Sequence, residues 1–308
     1  MPASQVAVRV PATSANLGPG FDCLGLALDL FLNITCRVGQ EAAGVRISVA
    51  GAETGDISTG ADNPILAALE LVYQQAGARP PRGLALSIEN GIPLSRGLGS
   101  SAAAVAAGLM AGNGLLGEPF TRTELLDLGW RLEGHPDNLA PALLGGITTS
   151  AIVHDRVVCV PIASPPELSL ALFVPDFAMP TSQARAALPT QVPRTDAVFN
   201  VARATLLVAA LAAGDLKPLR WAMEDRLHQP YRARLFPQLR PLSDAALAAG
   251  AAGVALSGAG STVIALCRGN ASDVAQAMAS AAAALALPGR PLCSRVNYQG
   301  ALVTTLSS

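Results

Sequence analysis

The chain has 308 residues, of which 51% are hydrophobic and 14% are charged, and its formal net charge is −1. This length suits two folded domains, and this composition is typical of a compact globular protein rather than a disordered chain. Because the charges are few and scattered, the sequence offers no basic face for a nucleic acid or an anionic membrane.

The cysteines and the N-terminus favour a cytoplasmic location. The five cysteines are odd in number, widely spaced and without a C-x-x-C pair, which favours reduced thiols over a disulfide or zinc framework. The first residues lack the basic and apolar regions of a signal peptide. Polar residues interrupt the alanine-rich stretches such as 271–287, so we expect no transmembrane segment and no membrane partner.

The first half predicts strands mixed with helices. Four segments are rich in β-branched and aromatic residues or alternate in polarity like strands: 4–10, 29–38, 44–49 and 83–89. Three segments have helical spacing or composition: 64–77, 101–116 and 121–133. The last of these opens with Thr121 and Glu124 at the spacing of a capping box and is followed by Gly134, so both of its ends are marked.

The second half also predicts a mixture, which makes the chain an α+β protein. Strands are expected over 168–174, 253–257 and 262–267. Helices are expected over 198–213, 215–228 and 271–285. The proline-rich stretch 162–168 is typical of a linker, so we expect one domain over 1–163 and another over 164–308.

A glycine-rich loop, PLSRGLGSSAA from Pro93, lies between a predicted strand and a predicted helix. Gly97 and Gly99 permit left-handed turns, and the free amides at the start of the helix suit an anion such as a triphosphate. No Gly-Lys-Ser/Thr follows, so this is not a P-loop, and neutralisation would fall to Mg²⁺ and arginine. By itself the loop could equally be an ordinary turn in which Ser100 or Ser101 caps the helix.

A second motif, EGHPDN from Glu133, places a carboxylate in the last turn of a helix. An anion there is disfavoured by the helix dipole, and a bound cation would relieve the conflict. Glu133 is therefore a candidate Mg²⁺ ligand, although it could also be a solvated side chain. His135 is more often a structural hydrogen-bonding residue than a base, and the three histidines predict no histidine metal cluster.

Two further motifs carry little information alone. The stretch PATSANLGPGFD from Pro11 reads as a polar loop between strands, in which Asn16 and Asp22 could recognise a small zwitterion or simply make a turn. The stretch SGAGST from Ser257 joins two apolar strands as a tight hairpin turn.

In this order, the four motifs resemble those of the GHMP kinases over about residues 10–267. The resemblance implies an N-terminal domain similar to a ribosomal-protein domain, with a left-handed βαβ crossover, and a ferredoxin-like C-terminal domain. It implies ATP and Mg²⁺, with Ser100 and Glu133 as metal ligands. It also implies nucleotide contacts from the following residues: Asn63, Pro93, Arg96, Gly97, Leu98, Gly99, Ser100 and Ser101.

Two more stretches, TSQAR from Thr181 and DRLHQPYR from Asp225, resemble the branch of that family that phosphorylates L-homoserine. The resemblance assigns Arg185 and Arg232 to the α-carboxylate, for which a planar guanidinium is suited. Asn16, Asp22 and Asn138 are assigned to its amino and hydroxyl ends, with Gly258 also at the substrate. Catalytic roles fall to Glu133, Ser100, Asn138 and Thr181, the last near the transferred phosphate.

The resemblance implies no side chain acting as a general base, since a loose phosphoryl-transfer transition state needs little prior deprotonation. Ser261 stands where many relatives have proline. Two alternatives remain: another GHMP small-molecule kinase, such as a mevalonate-type enzyme, or a catalytically silent ligand-binding protein of this fold. The expected partner is L-homoserine, with no nucleic acid and no membrane, and the family resemblance also implies a homodimer.

Overall fold

We describe the protein from a computed structural model, which covers residues 3–39, 44–51, 54 and 57–306. Its elements, in chain order, are β1 (Gln5–Asn16), β2 (Gly20–Val38), β3 (Gly44–Gly51), α1 (Pro64–Gln75), β4 (Gly83–Asn90), α2 (Ser100–Leu115), α3 (Arg122–Glu133), α4 (Leu139–Leu144), β5 (Ile147–Val153), β6 (Arg156–Ile162), β7 (Leu168–Pro175), α5 (Thr181–Ala186), α6 (Arg194–Ala213), α7 (Leu219–Ala222), α8 (Gln229–Arg232), α9 (Leu239–Ala248), β8 (Gly253–Leu256), β9 (Val263–Arg268), α10 (Ala271–Ala284), β10 (Gly289–Arg295) and β11 (Leu302–Thr305).

The first sheet has seven strands built around the long antiparallel hairpin of β1 and β2. Its main order is β11-β1-β2-β4-β3, and β5 pairs with the first part of β2 and then with β6. Only β3 and β4 run parallel among the described pairs. The last strand of the chain therefore lies beside the first, so both ends of the described chain stabilise one sheet.

Helix α2 is the central helix behind this sheet. Thirteen of its residues are buried, and small side chains let α1 approach closely. A Cβ at Gly108 would lie 2.1 Å from the carbonyl oxygen of Ile65, so only glycine fits there. This tight packing fixes α2, and with it the position of the glycine-rich loop at its N-terminus.

The second sheet has the order β10-β7-β9-β8, with all neighbours antiparallel. When the strands of this sheet are counted in chain order from β7, their order is 4-1-3-2, which is that of a ferredoxin-like domain, as the family resemblance implied. Alternate residues of β7 face opposite sides: Leu170 and Leu172 pack in the core shared with the first sheet, and Ala171 and Phe173 pack with α9 and α10. The expected boundary at 163/164 stays a prediction, because sheet membership changes there while the larger core continues across it.

Two expected elements are wrong. The stretch 11–22 is not a loop, since β1 extends to Asn16 and β2 begins at Gly20, leaving a three-residue turn. The stretch 215–228 is not one helix, because only Leu219–Ala222 is helical there. Asp225 accepts the backbone N–H groups of Leu227, His228 and Gln229, which bends the chain before α8.

One described helix has the length and composition to cross a membrane. It is α6, whose most apolar window has a mean hydropathy of 1.5. The expectation of no such segment is therefore not met at this helix, because alanine, valine and leucine outweigh its charged residues. Core helices of water-soluble proteins pass the same test.

Candidate active site

The glycine-rich loop is held between two other motifs. Gly97 and Gly99 are left-handed, with φ of 74° and 67°. A Cβ at Gly97 would lie 2.1 Å from the carbonyl oxygen of Ser257, and one at Gly99 would lie 1.9 Å from the hydroxyl of Thr13. Both glycines are thus required by conformation and by close approach.

The N-terminus of α2 lacks a side-chain cap. Gly99 occupies the N-cap position, so the alternative in which Ser100 or Ser101 caps the helix is wrong. The first amides of a helix have no partner within the helix, and the dipole there favours an anion. The loop and this helix start therefore have the features of a phosphate cradle.

Two cavities meet at the loop, and both are lined by Ser95, Ser100 and Ser101. The first, of about 230 Å³, has mainly apolar walls that include Leu32, Ile57, Ile65, Ile88 and Ala104. The second, of about 260 Å³, is lined by polar residues of the other motifs: Glu133, His135, Asn138, Thr181 and Gly258. A larger cavity of about 630 Å³ lies around α7, α8 and α9, away from the glycine-rich loop.

The residues expected from sequence to contact the nucleotide differ in whether they line one of these cavities. Asn63 lines the first cavity, but its side chain accepts the Ile65 N–H and donates to the Ser58 carbonyl, so it caps α1. Pro93 and Leu98 are buried and line neither of these two cavities.

Arg96 requires a correction. Its guanidinium donates to three backbone carbonyls, those of Leu94, Pro175 and Asp176, at 2.6–2.9 Å. Arg96 therefore ties the loop to the end of β7 and lines neither cavity, so it is not placed to neutralise a triphosphate. The sequence does not indicate this role, because two of the three carbonyls, those of Pro175 and Asp176, belong to a distant segment.

Glu133 lies at the end of α3, as expected, and α3 has the predicted capping box and a left-handed Gly134. The hydroxyl of Ser101 donates to Glu133 Oε1 at 2.6 Å, so Ser101 rather than Ser100 meets this carboxylate. Burial raises the pKa of Glu133 above its usual range. No salt bridge to an arginine or lysine relieves this burial among the described residues.

Asp22 and Arg185 form a two-point ion pair across 163 residues of sequence, with N–O distances of 2.7 and 3.1 Å. The hydrogen bond to Asp22 raises the pKa of Arg185 further. Both side chains are about one-third exposed, at 35% and 36%. Residues expected at opposite ends of a zwitterion thus neutralise each other.

Arg232 is arranged differently. Only 2% of it is exposed, and one of its terminal nitrogens donates to the Gly258 carbonyl at 2.9 Å and lies 3.1 Å from His228 Nδ1. Its Nε is buried and has no hydrogen-bond partner in the part of the chain that the structure describes. Burial lowers the pKa of Arg232 to about 10. Arg185 and Arg232 both lie over the ring of Phe21, a contact that the sequence analysis missed.

Asn16 is buried, and its amide binds the protein itself. It donates to the Gly258 carbonyl at 2.9 Å and accepts the Asp22 N–H at 3.0 Å. The structure therefore places Asn16 and Gly258 as a support for the Asp22 backbone and for Arg232. Asn138 accepts a hydrogen bond from Thr13, another residue that the motif reading passed over.

His135 connects the substrate side to the second cavity. Its Nδ1 lies 2.6 Å from Asp137, and although burial disfavours the charged ring, this contact raises the pKa of His135. Ligand atoms of Asp22, His135 and Asp137 lie within 4.8 Å of one another, a grouping that could hold a cation. Both Asp22 oxygens already accept from Arg185, and Asp137 also accepts the Asn138 N–H, so these oxygens are engaged within the protein.

Comparison with known proteins agrees with this geometry. Residues 63–146 match the model of the GHMP kinases N terminal domain, and residues 207–284 match that of the GHMP kinases C terminal domain. Homoserine kinase from Moorella thermoacetica is 46% identical over 89% of this chain and 91% of its own length. The homoserine kinase of Gloeobacter violaceus is 48% identical over the same shares.

Solved structures show the same relationship. The crystal structure of homoserine kinase from Cytophaga hutchinsonii has a TM-score of 0.89 and 31% identity, covering 98% of both chains. Mevalonate kinase from L. major, at 17% identity and a TM-score of 0.69, shares the fold. The chain is therefore a member of the homoserine kinase family within the GHMP kinases.

Proposed function

We propose that the protein transfers the γ-phosphoryl group of ATP to the hydroxyl of L-homoserine, giving ADP and O-phospho-L-homoserine for threonine biosynthesis. One observation carries the choice of substrate. The buried Arg232 guanidinium and the Asp22-paired Arg185 guanidinium both lie over the Phe21 ring. Arg232 has an Nε without a partner among the described residues, and it donates to Gly258, which lines the second cavity. A small zwitterion offers the charges that such a set would bind.

The first cavity suits the nucleoside. Its walls are apolar, which fits the faces of a purine ring, and it opens onto the loop through Ser95, Ser100 and Ser101. The triphosphate would then lie along the loop and meet the free amides of α2. Nucleotide contacts from Gly97 and Gly99 would be made by the backbone.

Glu133, together with the Ser101 or Ser100 hydroxyl, fits a magnesium ion. The site offers hard oxygen ligands, and its half-buried carboxylate has no arginine or lysine salt bridge among the described residues. When bound with ATP, Mg²⁺ would supply positive charge to the phosphate oxygens. The loop has no lysine of its own for that task.

Substrate positioning falls to the second cavity and the residues behind it. Asp22 would take the α-ammonium group, while Arg185 and Arg232 would take the α-carboxylate, which leaves the hydroxyl directed toward the loop. Asn138 and Thr181 line this cavity and would orient the hydroxyl and the transferred group. The new bond forms between the hydroxyl oxygen and the γ-phosphorus as the bond to the bridging oxygen breaks, so that ADP leaves and the hydroxyl proton passes to an oxygen of the transferred phosphoryl group. We assign no side chain as general base, because positioning and charge neutralisation can supply the acceleration.

A coupled ADP-release assay across homoserine, mevalonate, galactose and shikimate tests the substrate. Homoserine should have by far the highest kcat/KM. Comparable turnover of another alcohol would favour another GHMP small-molecule kinase, and no turnover with ATP and Mg²⁺ would favour a silent binding protein.

Three further proposals accompany this function: a cytoplasmic location, two domains divided near 163/164 and a homodimer. All five cysteines are free thiols, which supports the first. Light scattering of the purified protein tests the dimer, and limited proteolysis tests the boundary. A monomeric mass, or cleavage only elsewhere, would contradict them.

A further inference from the structure

His228 is fully buried beside the proposed carboxylate site. Its ring stacks on Phe21, with centroids 5.1 Å apart and planes inclined by 22°. Its Nε2 lies 2.7 Å from the Gly18 carbonyl oxygen, and its Nδ1 lies 3.1 Å from a terminal nitrogen of Arg232. The ring thus joins the β1–β2 turn to the guanidinium.

These two contacts fix the protonation state of the ring. A guanidinium only donates and a carbonyl only accepts, so Nδ1 must be the acceptor and Nε2 must carry the hydrogen. The ring is therefore neutral. Burial also lowers the pKa of His228 to about 4, although Asp225 acts in the opposite direction.

Asp225 does not take over the role of Arg232's partner. Its oxygens accept the Asn200 side chain and three backbone N–H groups, including that of His228. Its Oδ2 lies 3.7 Å from His228 Nε2, whereas Arg232 contacts the other ring nitrogen, Nδ1. The carboxylate therefore shapes the chain around α8 and leaves the guanidinium to neutral acceptors.

Arg232 and Arg185 differ in the charge of the groups that hold them. Arg185 is neutralised by Asp22, whereas Arg232 is held by a ring nitrogen and a backbone carbonyl, neither of which carries charge. A neutral acceptor can orient a guanidinium and leave its charge available to an anionic ligand. A carboxylate in the same place would orient it and cancel that charge.

We propose that His228 is a positioning residue for the substrate carboxylate. As an uncharged acceptor, the His228 ring holds the Arg232 guanidinium in place and ties it to the turn at Gly18. This role rests on the proposed function. This positioning role accounts for an imidazole beside the proposed carboxylate site that takes no part in proton transfer.

The variants H228Q and H228E provide a matched test, because they have nearly the same shape and differ in charge. Glutamine keeps one acceptor and one donor, so KM for homoserine should stay within about fivefold of wild type. Glutamate would neutralise Arg232, so KM for homoserine should rise at least about tenfold above that of H228Q. KM for ATP should change less than twofold in both. Equal KM values for homoserine in the two variants, or equal shifts for both substrates, would overturn the proposal.

A second measurement does not depend on whether H228E folds. The protein has three histidines, so ¹⁵N NMR of the wild-type imidazoles, assigned with H228Q, can identify the tautomer of His228. A neutral ring protonated at Nε2 at pH 7 supports the proposal, and a charged ring or an Nδ1–H tautomer overturns it. Wild-type protein that does not phosphorylate homoserine would instead overturn the proposed function, while the tautomer still decides how Arg232 is held.

Discussion

The ion pair between Asp22 and Arg185 predicts how the enzyme selects zwitterions. The two side chains satisfy each other through hydrogen bonds of 2.7 and 3.1 Å. In the proposed binding mode, homoserine would separate the pair but give each partner a new one, the ammonium group for Asp22 and the carboxylate for Arg185. The analogue 4-hydroxybutyrate, which lacks only the amino group, would leave Asp22 without a partner.

The size of this effect follows from exposure. A hydrogen bond to a charged group contributes about 1.5–3 kcal/mol, and since both side chains are 35–36% exposed, water replaces part of it and the lower end applies. About 1.5 kcal/mol corresponds to roughly tenfold in kcat/KM. Asp22→Asn should therefore lower kcat/KM for homoserine at least about tenfold. It should leave that for 4-hydroxybutyrate unchanged or raise it up to about tenfold, because Arg185 is released.

The assay is ADP release with each substrate at saturating ATP, and the quantity of interest is the ratio of the two kcat/KM values. This ratio should fall by roughly 10- to 100-fold in D22N. Asp155→Asn is a matched control, since it removes the carboxylate of an exposed ion pair with Arg131 on the surface. If D22N lowers kcat/KM for both substrates by the same factor, the exchange of partners is refuted and Asp22 acts only as a structural support.

Three other variants test the remaining assignments. Glu133→Gln should lower kcat about 10²–10³-fold, and kcat within threefold of wild type would refute the ligand role. The same variant should raise the Tm measured without added nucleotide or magnesium at pH 7. The reason is that the pKa of Glu133 is raised in the folded protein, so its charged form destabilises the fold as the pH rises above the unfolded pKa. Arg96→Lys should raise KM for ATP more than KM for homoserine, since lysine cannot reach all three carbonyls that hold the loop, and equal KM values to wild type would contradict this. Urea unfolding at pH 7 and pH 5 should show wild type losing more stability than H228Q, because burial lowers the pKa of His228, so the unfolded state takes up a proton below about pH 6.5 while the folded ring stays neutral. Equal losses would contradict the lowered pKa of His228.

The features that sequence could predict are those with local causes. Gly97 and Gly99 were identified because a left-handed turn before a helix demands glycine, and the structure adds that backbone and side-chain atoms at about 2 Å exclude a Cβ. The capping box of Thr121 and Glu124 and the left-handed Gly134 were predicted for the same kind of reason. In each case the residue and the structure that it specifies lie within a few positions.

The features that sequence could not predict depend on distant segments. Local composition made 215–228 look helical, but the carboxylate of Asp225, which accepts the side chain of the distant Asn200, also binds three backbone amides and bends the chain. Nothing near Arg96 in the sequence indicates the carbonyls at Pro175 and Asp176. The choice of Ser101 over Ser100 as the partner of Glu133 depends on the rotation of α2 relative to α3, which packing alone decides.

The two arginines of the proposed carboxylate site also show why residue type alone underdetermines a role. Arg232 is buried, oriented by neutral acceptors and retains its charge, so it can bind an anion without first breaking an ion pair. Arg185 is more exposed and must leave Asp22 before it can bind. In the proposed binding mode, an anion without an ammonium group would gain binding free energy at Arg232 but lose it at Arg185, where the ion pair with Asp22 must break. A zwitterion would gain binding free energy at both arginines. In the proposed binding mode, discrimination against simple anions would thus arise from the ion pair of Arg185 with Asp22, and the affinity for the carboxylate would arise because Arg232 has no carboxylate partner among the described residues.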